Sequence, residues 1–337
     1  MQPQYTDIKD VAIIGAGPVG LFAVFQCGML GLSCTVIDSL EEIGGQCTAL
    51  YPEKPIYDIP AYPEVMAANL IKNLEAQAAP FNPIYILNNK IVSLSNDNGL
   101  WILKTDKNIT IHAKKIIIAA GGGAFGPNRP PLAGIDSYEG ASVFYMVRNK
   151  ADFKDRNIVI AGGGDSAVDW AIALSDIAKS VHLVHRRDKF RASPDSVRRL
   201  NDLAKEGFIT IDTPYQLKEL IGDGTTLKAI RISNKEGEKD IQADILLPFY
   251  GLSMELGPIK EWCLDLYDSY IVVNPTTLMT NVSGIYAIGD IVSYDNKLKL
   301  ILTGFSEAAM AAHSIYREIY PDKELHFEYS TTKGIPA

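Results

Sequence analysis

The feature that most constrains this chain is a repeat at long range. Val11-Ala-Ile-Ile-Gly-Ala-Gly-Pro-Val-Gly20 is echoed by Ile158-Val-Ile-Ala-Gly-Gly-Gly-Asp-Ser-Ala167. In each copy an apolar run of strand length enters G-x-G-x-x-G or G-x-G-x-x-A. A helix-like segment follows (residues 21–30 and 168–178), and a second apolar strand closes the unit (residues 34–37 and 181–184). Apolar runs without polar alternation belong to strands buried on both faces, the habit of parallel sheets covered by helices. Two βαβ nucleotide-binding units are therefore predicted.

The two second strands end at matching points with opposite chemistry. Asp38 lies 23 residues after Gly15, and His185 lies 23 after Gly162. In the first unit Gly15, Gly17, Pro18 and Gly20 form a turn and helix start suited to a pyrophosphate, and Asp38 is placed to accept hydrogen bonds from ribose hydroxyls. In the second, Gly162, Gly164, Asp165, Ser166 and Ala167 form the turn. There Arg186, Arg187 and Arg191 stand where a carboxylate would repel a 2′-phosphate and a guanidinium would grip it, so NADP(H) is favoured over NAD(H). The plain alternatives are a glycine turn without a ligand and a solvated basic loop.

Between the units, Lys114-Lys-Ile-Ile-Ile-Ala-Ala-Gly-Gly-Gly123 reads as a buried strand ending in glycines, and Pro127, Pro130 and Pro131 then break regular structure. Ile245-Leu-Leu-Pro-Phe-Tyr-Gly251 suggests the return crossover, followed by a short strand ending in Gly289-Asp290. The expected fold is α/β: two Rossmann-like dinucleotide-binding domains, one inserted in the other, with residues 1–120 and 250–337 forming the first and 121–249 the second. A length of 337 residues agrees with two domains at about 150 each. Charge follows the same division. Residues 121–249 hold 18 basic and 18 acidic residues, so the net −8 resides wholly outside the insert.

That acidic balance disfavours a protein built to neutralise nucleic-acid phosphates. Residues 11–30 carry no charge, but their glycines and Pro18 fit a strand, turn and buried helix better than a membrane span. Cys27, Cys34, Cys47 and Cys263 form no CxxC pair and no disulfide scaffold, which points to a reducing, cytoplasmic home. His112, His182, His185, His313 and His326 form no metal-like cluster, and no metal is expected.

On GGGDSAVDW followed by HRRDKFRA the chain resembles thioredoxin reductase among the flavoproteins with two dinucleotide-binding domains. It departs from that pattern in having no cysteine in residues 138–157, just before the second glycine turn. Glutathione-reductase-like enzymes instead carry Cys-x4-Cys after an early Gly-Gly. Gly44-Gly45-Gln46-Cys47 begins that way, but position 52 is Pro52. Cys47 is thus a lone thiol, its plain reading a small buried apolar residue, and a disulfide reductase is disfavoured.

GAGPVGLF, IGGQCTALYPEKPIYDIPAYP, IYAIGD, LILTGFSEAA and the tail HFEYSTTKG complete a resemblance, over essentially the whole chain, to the thioredoxin-reductase-like ferredoxin–NADP reductases of bacteria. The resemblance implies FAD lined by Asp38, Gln46, Tyr51, Ile91, Phe125, Asp290 and Thr331. It places Tyr51 stacked on one face of the ring, Tyr329 over the other, and Gly289-Asp290 at the ribityl and phosphate region. It also implies flavin-centred chemistry with no protein catalytic residue, ferredoxin or flavodoxin as partner, and a homodimer. Tyr51 packing on its own loop is the plain alternative for that residue.

A helix is expected over residues 307–316, with Leu302-Thr-Gly-Phe-Ser306 leading into it; its N-terminus facing the flavin is one reading, and an ordinary amphipathic helix packed on the core is the plain alternative. Hinges are expected near Gly121–Gly123 and Gly251, and a positive docking face at Arg148, Lys150, Lys154 and Arg156. The competing functions are an NADPH-dependent quinone or small-molecule reductase and a low-turnover flavin redox sensor.

Overall fold

The computed structural model describes residues 7–323 and Gly334. The chain divides into two compact units, Met1–Phe125 with Met254–Ala337, and Gly126–Ser253.

At the centre of the first unit is the strand Lys9–Ile14, whose Val11, Ala12 and Ile13 have no solvent exposure. It pairs in parallel with Cys34–Ile37 on one side and with the end of Thr110–Ile118 on the other, Ile14 standing opposite both Ile37 and Ile118. Ile84–Ile86 extends the sheet beyond Cys34–Ile37, and Ile285–Ala287 extends it beyond the second half of Thr110–Ile118. The first half of that long strand instead pairs antiparallel with Leu100–Thr105, which pairs with Ile91–Asp97. One strand thereby serves a parallel sheet at its end and a meander at its start. Burying each such Ile or Val contributes roughly 1.5–3 kcal/mol, so the repeated apolar runs are themselves the main stabilising element.

The second unit repeats the plan. Asn157–Ala161 lies between Ser180–Val184 and Ile245–Pro248, with Thr210–Asp212 outside, all parallel. Gln216–Gly222, Leu227–Ser233 and Glu238–Gln242 form a separate antiparallel sheet that the sequence reading did not anticipate. The α/β class with two Rossmann-like sheets, read from the repeat, is the observed fold. Among the described residues no helix is long and apolar enough to cross a membrane.

The helices start earlier than expected. Pro18–Met29 and Asp165–Leu174 begin inside the glycine motifs themselves, each with a glycine at the N-cap. The long C-terminal helix runs Ile301–Ile319, not from residue 307. Gly304 and Ser306 are poor helix formers and read as a leader, but packing overrides propensity there. Gly304 lies against Val19 so closely that a Cβ would stand 2.4 Å from a Val19 methyl.

Asp212, at the end of its strand and 3% exposed, ties the second unit together: its carboxylate accepts from the His182 ring at 2.8 Å and from Lys239 Nζ at 2.7 Å. Burial pushes this carboxyl up, but His182 and Lys239 outweigh it and hold it below the usual carboxylate range. Its contribution is therefore present above about pH 4, the unfolded value, and is lost as pH falls through the lower folded one. Asp212→Asn should destabilise this unit by about 1.5–3 kcal/mol at pH 7, the worth of hydrogen bonds to a charged group. Thermal melts should show the gap between variant and unmodified protein closing below about pH 4.

Candidate functional site

In the first unit the two strands of the βαβ element deliver the glycine turn and Asp38 to the same edge of the sheet, where ligands of such sheets bind. Gly15 adopts φ +112°, and a Cβ on it would stand 2.3 Å from the Ala119 carbonyl oxygen. Only glycine fits there. Asp38 Oδ2 accepts the Ala16 N–H at 2.6 Å and Oδ1 accepts the Leu40 N–H at 2.9 Å. Burial pushes the Asp38 carboxyl above the usual range, and these amide donors pull it part of the way back. Asp38 thus braces the glycine turn, and its carboxylate keeps accepting capacity beyond these backbone bonds for a ribose hydroxyl.

Around this turn lies a cleft of about 1200 Å³, its open mouth included. Gly15, Gly17, Pro18, Asp38, Gln46, Tyr51, Ile91 and Asp290 all line it. Gly20 does not, and instead packs under the turn, 2.0 Å from the Gly15 oxygen to its notional Cβ. The Phe125 side chain, Tyr329 and Thr331 lie outside what the structure describes. Tyr51 lines the cleft and also packs against the cluster around Leu21, Cys47 and Ile71. Burial raises its phenol well above the ordinary value, so it stays neutral.

Strand order gives the cleft a polarity. Asp38 follows the strand on one side of Lys9–Ile14, and Asp290 follows the strand two places away on the other. Two helix N-termini face it: those of Pro18–Met29 and Ile301–Ile319, neither capped by a side chain. Gly17 has nothing within 4 Å of where its Cβ would be. Uncapped N–H groups above an open glycine suit a pyrophosphate, and an extended dinucleotide such as FAD fits this donor set.

Several residues in or behind the lining gave no sign of their role in the sequence. Asn89 sits 7% exposed beside Asp38, with its backbone N–H donated to the Asp38 carbonyl and its side chain fixed by Thr105 and Leu87. Ile259 and Trp262 come from the segment after the insert. Glu307, 2% exposed on the C-terminal helix, accepts from the Gly289 N–H at 2.6 Å, the Tyr294 hydroxyl at 2.6 Å and Lys297 Nζ at 2.5 Å. A glutamate inside an amphipathic helix looks like a solvated residue until the fold brings these donors to it.

In the second unit His185 occupies the position of Asp38. Its ring lies against the glycine turn, so closely that a Cβ on Gly163 would stand 2.2 Å from it. Burial lowers its pKa, and Arg186, Arg187 and Arg191 lower it further, so the ring stays neutral at pH 7. The Arg191 N–H donates to the Gly163 carbonyl at 2.6 Å, and the Ser193 N–H to Asp165 Oδ1 at 2.9 Å. These two bonds fold the basic loop back over the turn and bring Arg191 to Gly164, with which it forms a β-bridge. Arg186 and Arg187 are exposed on the same loop, Ser166 is exposed, Ala167 is buried, and Gly164 has open space where its Cβ would be. Among the described residues no group of His, Cys, Asp or Glu is placed to hold a metal ion.

The sequence profile described as pyridine nucleotide-disulphide oxidoreductase matches residues 9–312. The chain is 57% identical over 325 residues to a ferredoxin--NADP reductase of Rickettsia bellii (strain OSU 85-389), covering 96% of this chain and 98% of that one. It is 55% identical over 329 residues to a ferredoxin--NADP reductase of Paramagnetospirillum magneticum (strain ATCC 700264 / AMB-1), covering 97% and 98%. Among solved structures, T. acidophilum thioredoxin reductase matches with a TM-score of 0.81 at 25% identity, over 93% of this chain and 99% of that one. Lactococcus lactis thioredoxin reductase matches at 0.80 and 24%, over the same shares, a likeness of fold. Two braced glycine turns, one acidic and one basic at the strand end, thus accompany a match along nearly the whole length, and the chain belongs to the pyridine nucleotide-disulphide oxidoreductase family together with these ferredoxin--NADP reductases.

Proposed function

We propose that this chain is an FAD-dependent ferredoxin–NADP reductase, passing electrons between NADPH and ferredoxin or flavodoxin. FAD is assigned to the cleft of the unit that carries Asp38, and NADP(H) to the turn Gly162–Ala167 with Arg186, Arg187 and Arg191. The observation that carries this reading is the contrast at equivalent strand ends, a carboxylate in one unit and a histidine leading three arginines in the other. Bound FAD supplies the exchange between one two-electron hydride and two single electrons.

The chain's own residues bind and orient. Asp38 holds the ribose end. The free N–H groups at the start of Pro18–Met29 take the pyrophosphate, Asp290 borders the ribityl and phosphate region, and Tyr51 and Gln46 border the ring end. Phe125, Tyr329 and Thr331 are assigned to the same cofactor on the resemblance. No protein acid or base is needed for hydride transfer, so exclusion of water and alignment are what the protein adds. Movement about Gly121–Gly123 and Gly251 is part of this proposal, as the step that presents each substrate in turn.

Cysteine chemistry supports an external acceptor. All four cysteines are free, and none forms a CxxC pair. Burial pushes the Cys47 thiol up to about 11, and hydrogen bonding with Cys27 together with burial pushes Cys34 well above its ordinary value. Protonated thiols are poor nucleophiles, so a dithiol relay has no support here. The cytoplasmic, homodimeric state is likewise a proposal. Arg148, Lys154 and Arg156 are exposed and Lys150 is half-buried, and we assign this basic stretch to steering an acidic partner toward a chain of net charge −8.

Two measurements test the reading. Under anaerobic conditions NADPH should bleach the flavin band of the purified protein, and oxidised ferredoxin should then restore it. Recovery with a quinone or a disulfide but not with ferredoxin would reject the acceptor, and failure to bleach would reject the enzyme. Arg186→Ala and Arg187→Ala should each raise KM for NADPH about 10–100-fold, the loss of one charge-assisted phosphate contact, and leave KM for NADH within about twofold. Equal effects on both nucleotides would place the 2′-phosphate elsewhere.

A further inference from the structure

The Glu307–Lys297 pair is buried on both sides, with side chains 3% and 5% exposed, in a region where neither charge has water to screen it. Three donors converge on the carboxylate: Gly289 N–H, Tyr294 hydroxyl and Lys297 Nζ. The first of these is the backbone immediately before Asp290, and the other two come from the segment joining that turn to the C-terminal helix. The helix that carries Glu307 also supplies Ile301 to the cleft wall and is held against the first helix at Gly304 and Val19.

We propose that Glu307 is a positioning residue that acts through Gly289 and Lys297. It fixes the Gly289–Asp290 turn and, by neutralising Lys297, withholds a positive charge from the flavin half of the cleft. The inference rests on the flavin occupying that cleft as proposed above. The polarity of the cleft puts the adenosine half at Asp38 and leaves the other half to the end where Asp290 stands.

Asp290 reports that both partners reach this end: burial raises its carboxyl, Lys297 and Lys299 lower it, and Glu307 raises it. An unneutralised cation beside a flavin favours the reduced, more negative form, and an unneutralised anion favours the oxidised form. The pair, taken together, therefore sets a potential that neither residue alone would give.

The test is the midpoint potential of the bound flavin, measured by spectroelectrochemistry at pH 7 with no electron acceptor present. Glu307→Gln keeps an oxygen for the Gly289 N–H and leaves Lys297 unneutralised. It should favour reduced over oxidised flavin by about tenfold, which for a two-electron couple is about +30 mV. Lys297→Met should shift the ratio about tenfold the other way. The double variant, which buries no charge, should retain its flavin and lie within about threefold of the unmodified protein. General loosening of the site would move both single variants in one direction, so shifts of the same sign, or shifts below about twofold, overturn the proposal. Should either single variant fail to fold, the double variant and Tyr294→Phe decide. Tyr294→Phe removes one donor from the carboxylate and should move the ratio about threefold in the Lys297→Met direction. No shift in Tyr294→Phe, or a tenfold departure in the double variant, overturns the proposal. A colourless unmodified protein would instead overturn the flavin reading beneath it.

Discussion

The structure turns on how the end of a second strand braces the middle residue of a glycine turn. In the first unit that brace is a hydrogen bond, from the Ala16 N–H to the Asp38 carboxylate. In the second it is a packed ring, His185 against Gly163. The two positions are equivalent in the repeat, so the residue that sets the charge facing the ligand also sets the shape of the turn. This accounts for a difference between the motifs. An alanine is accommodated beside the carboxylate, whereas a Cβ at residue 163 would collide with the imidazole. Exchanging an acidic strand end for a histidine is therefore tied to a third glycine in the turn.

From that brace the arrangement of each site follows. The carboxylate draws amide donors from both Ala16 and Leu40 and so fixes the glycine turn at one end of the cleft. The basic loop is folded onto its own turn by backbone bonds from Arg191 and Ser193, with Arg186 and Arg187 exposed upon it. Helix N-termini with no side-chain caps complete both turns, which leaves their first N–H groups uncapped, the arrangement that suits an anion. The far end of the first cleft depends on a different device, the buried Glu307 cluster behind Gly289 and Asp290.

Much of this was legible in the chain, and the reasons are physical. Strands buried on both faces must be apolar throughout, so Val11–Ile14 and Ile158–Ala161 declare themselves, and the glycines after them mark where backbone comes close to backbone. Asp38 and His185 could be found because their distance from the turn is set by the length of one helix and one strand. What was hidden depends on tertiary contact. The start of the C-terminal helix at Ile301 was missed because Gly304 is read as a breaker until Val19 is seen beneath it. Asn89 and Trp262 carry no motif, and the motif that contains Glu307 gives no sign of the three donors the fold brings to its carboxylate. The antiparallel sheet from Gln216 to Gln242 went unread because its strands alternate with many charged residues.

The central claim is that one chain holds two separate dinucleotide sites that do not compete. Equilibrium binding to the purified protein tests it most directly. One FAD per chain is expected, retained through gel filtration, with one further NADP+ that binds saturably and leaves the flavin in place. Displacement of flavin by NADP+, or no NADP+ binding to the flavin-loaded chain, would contradict it.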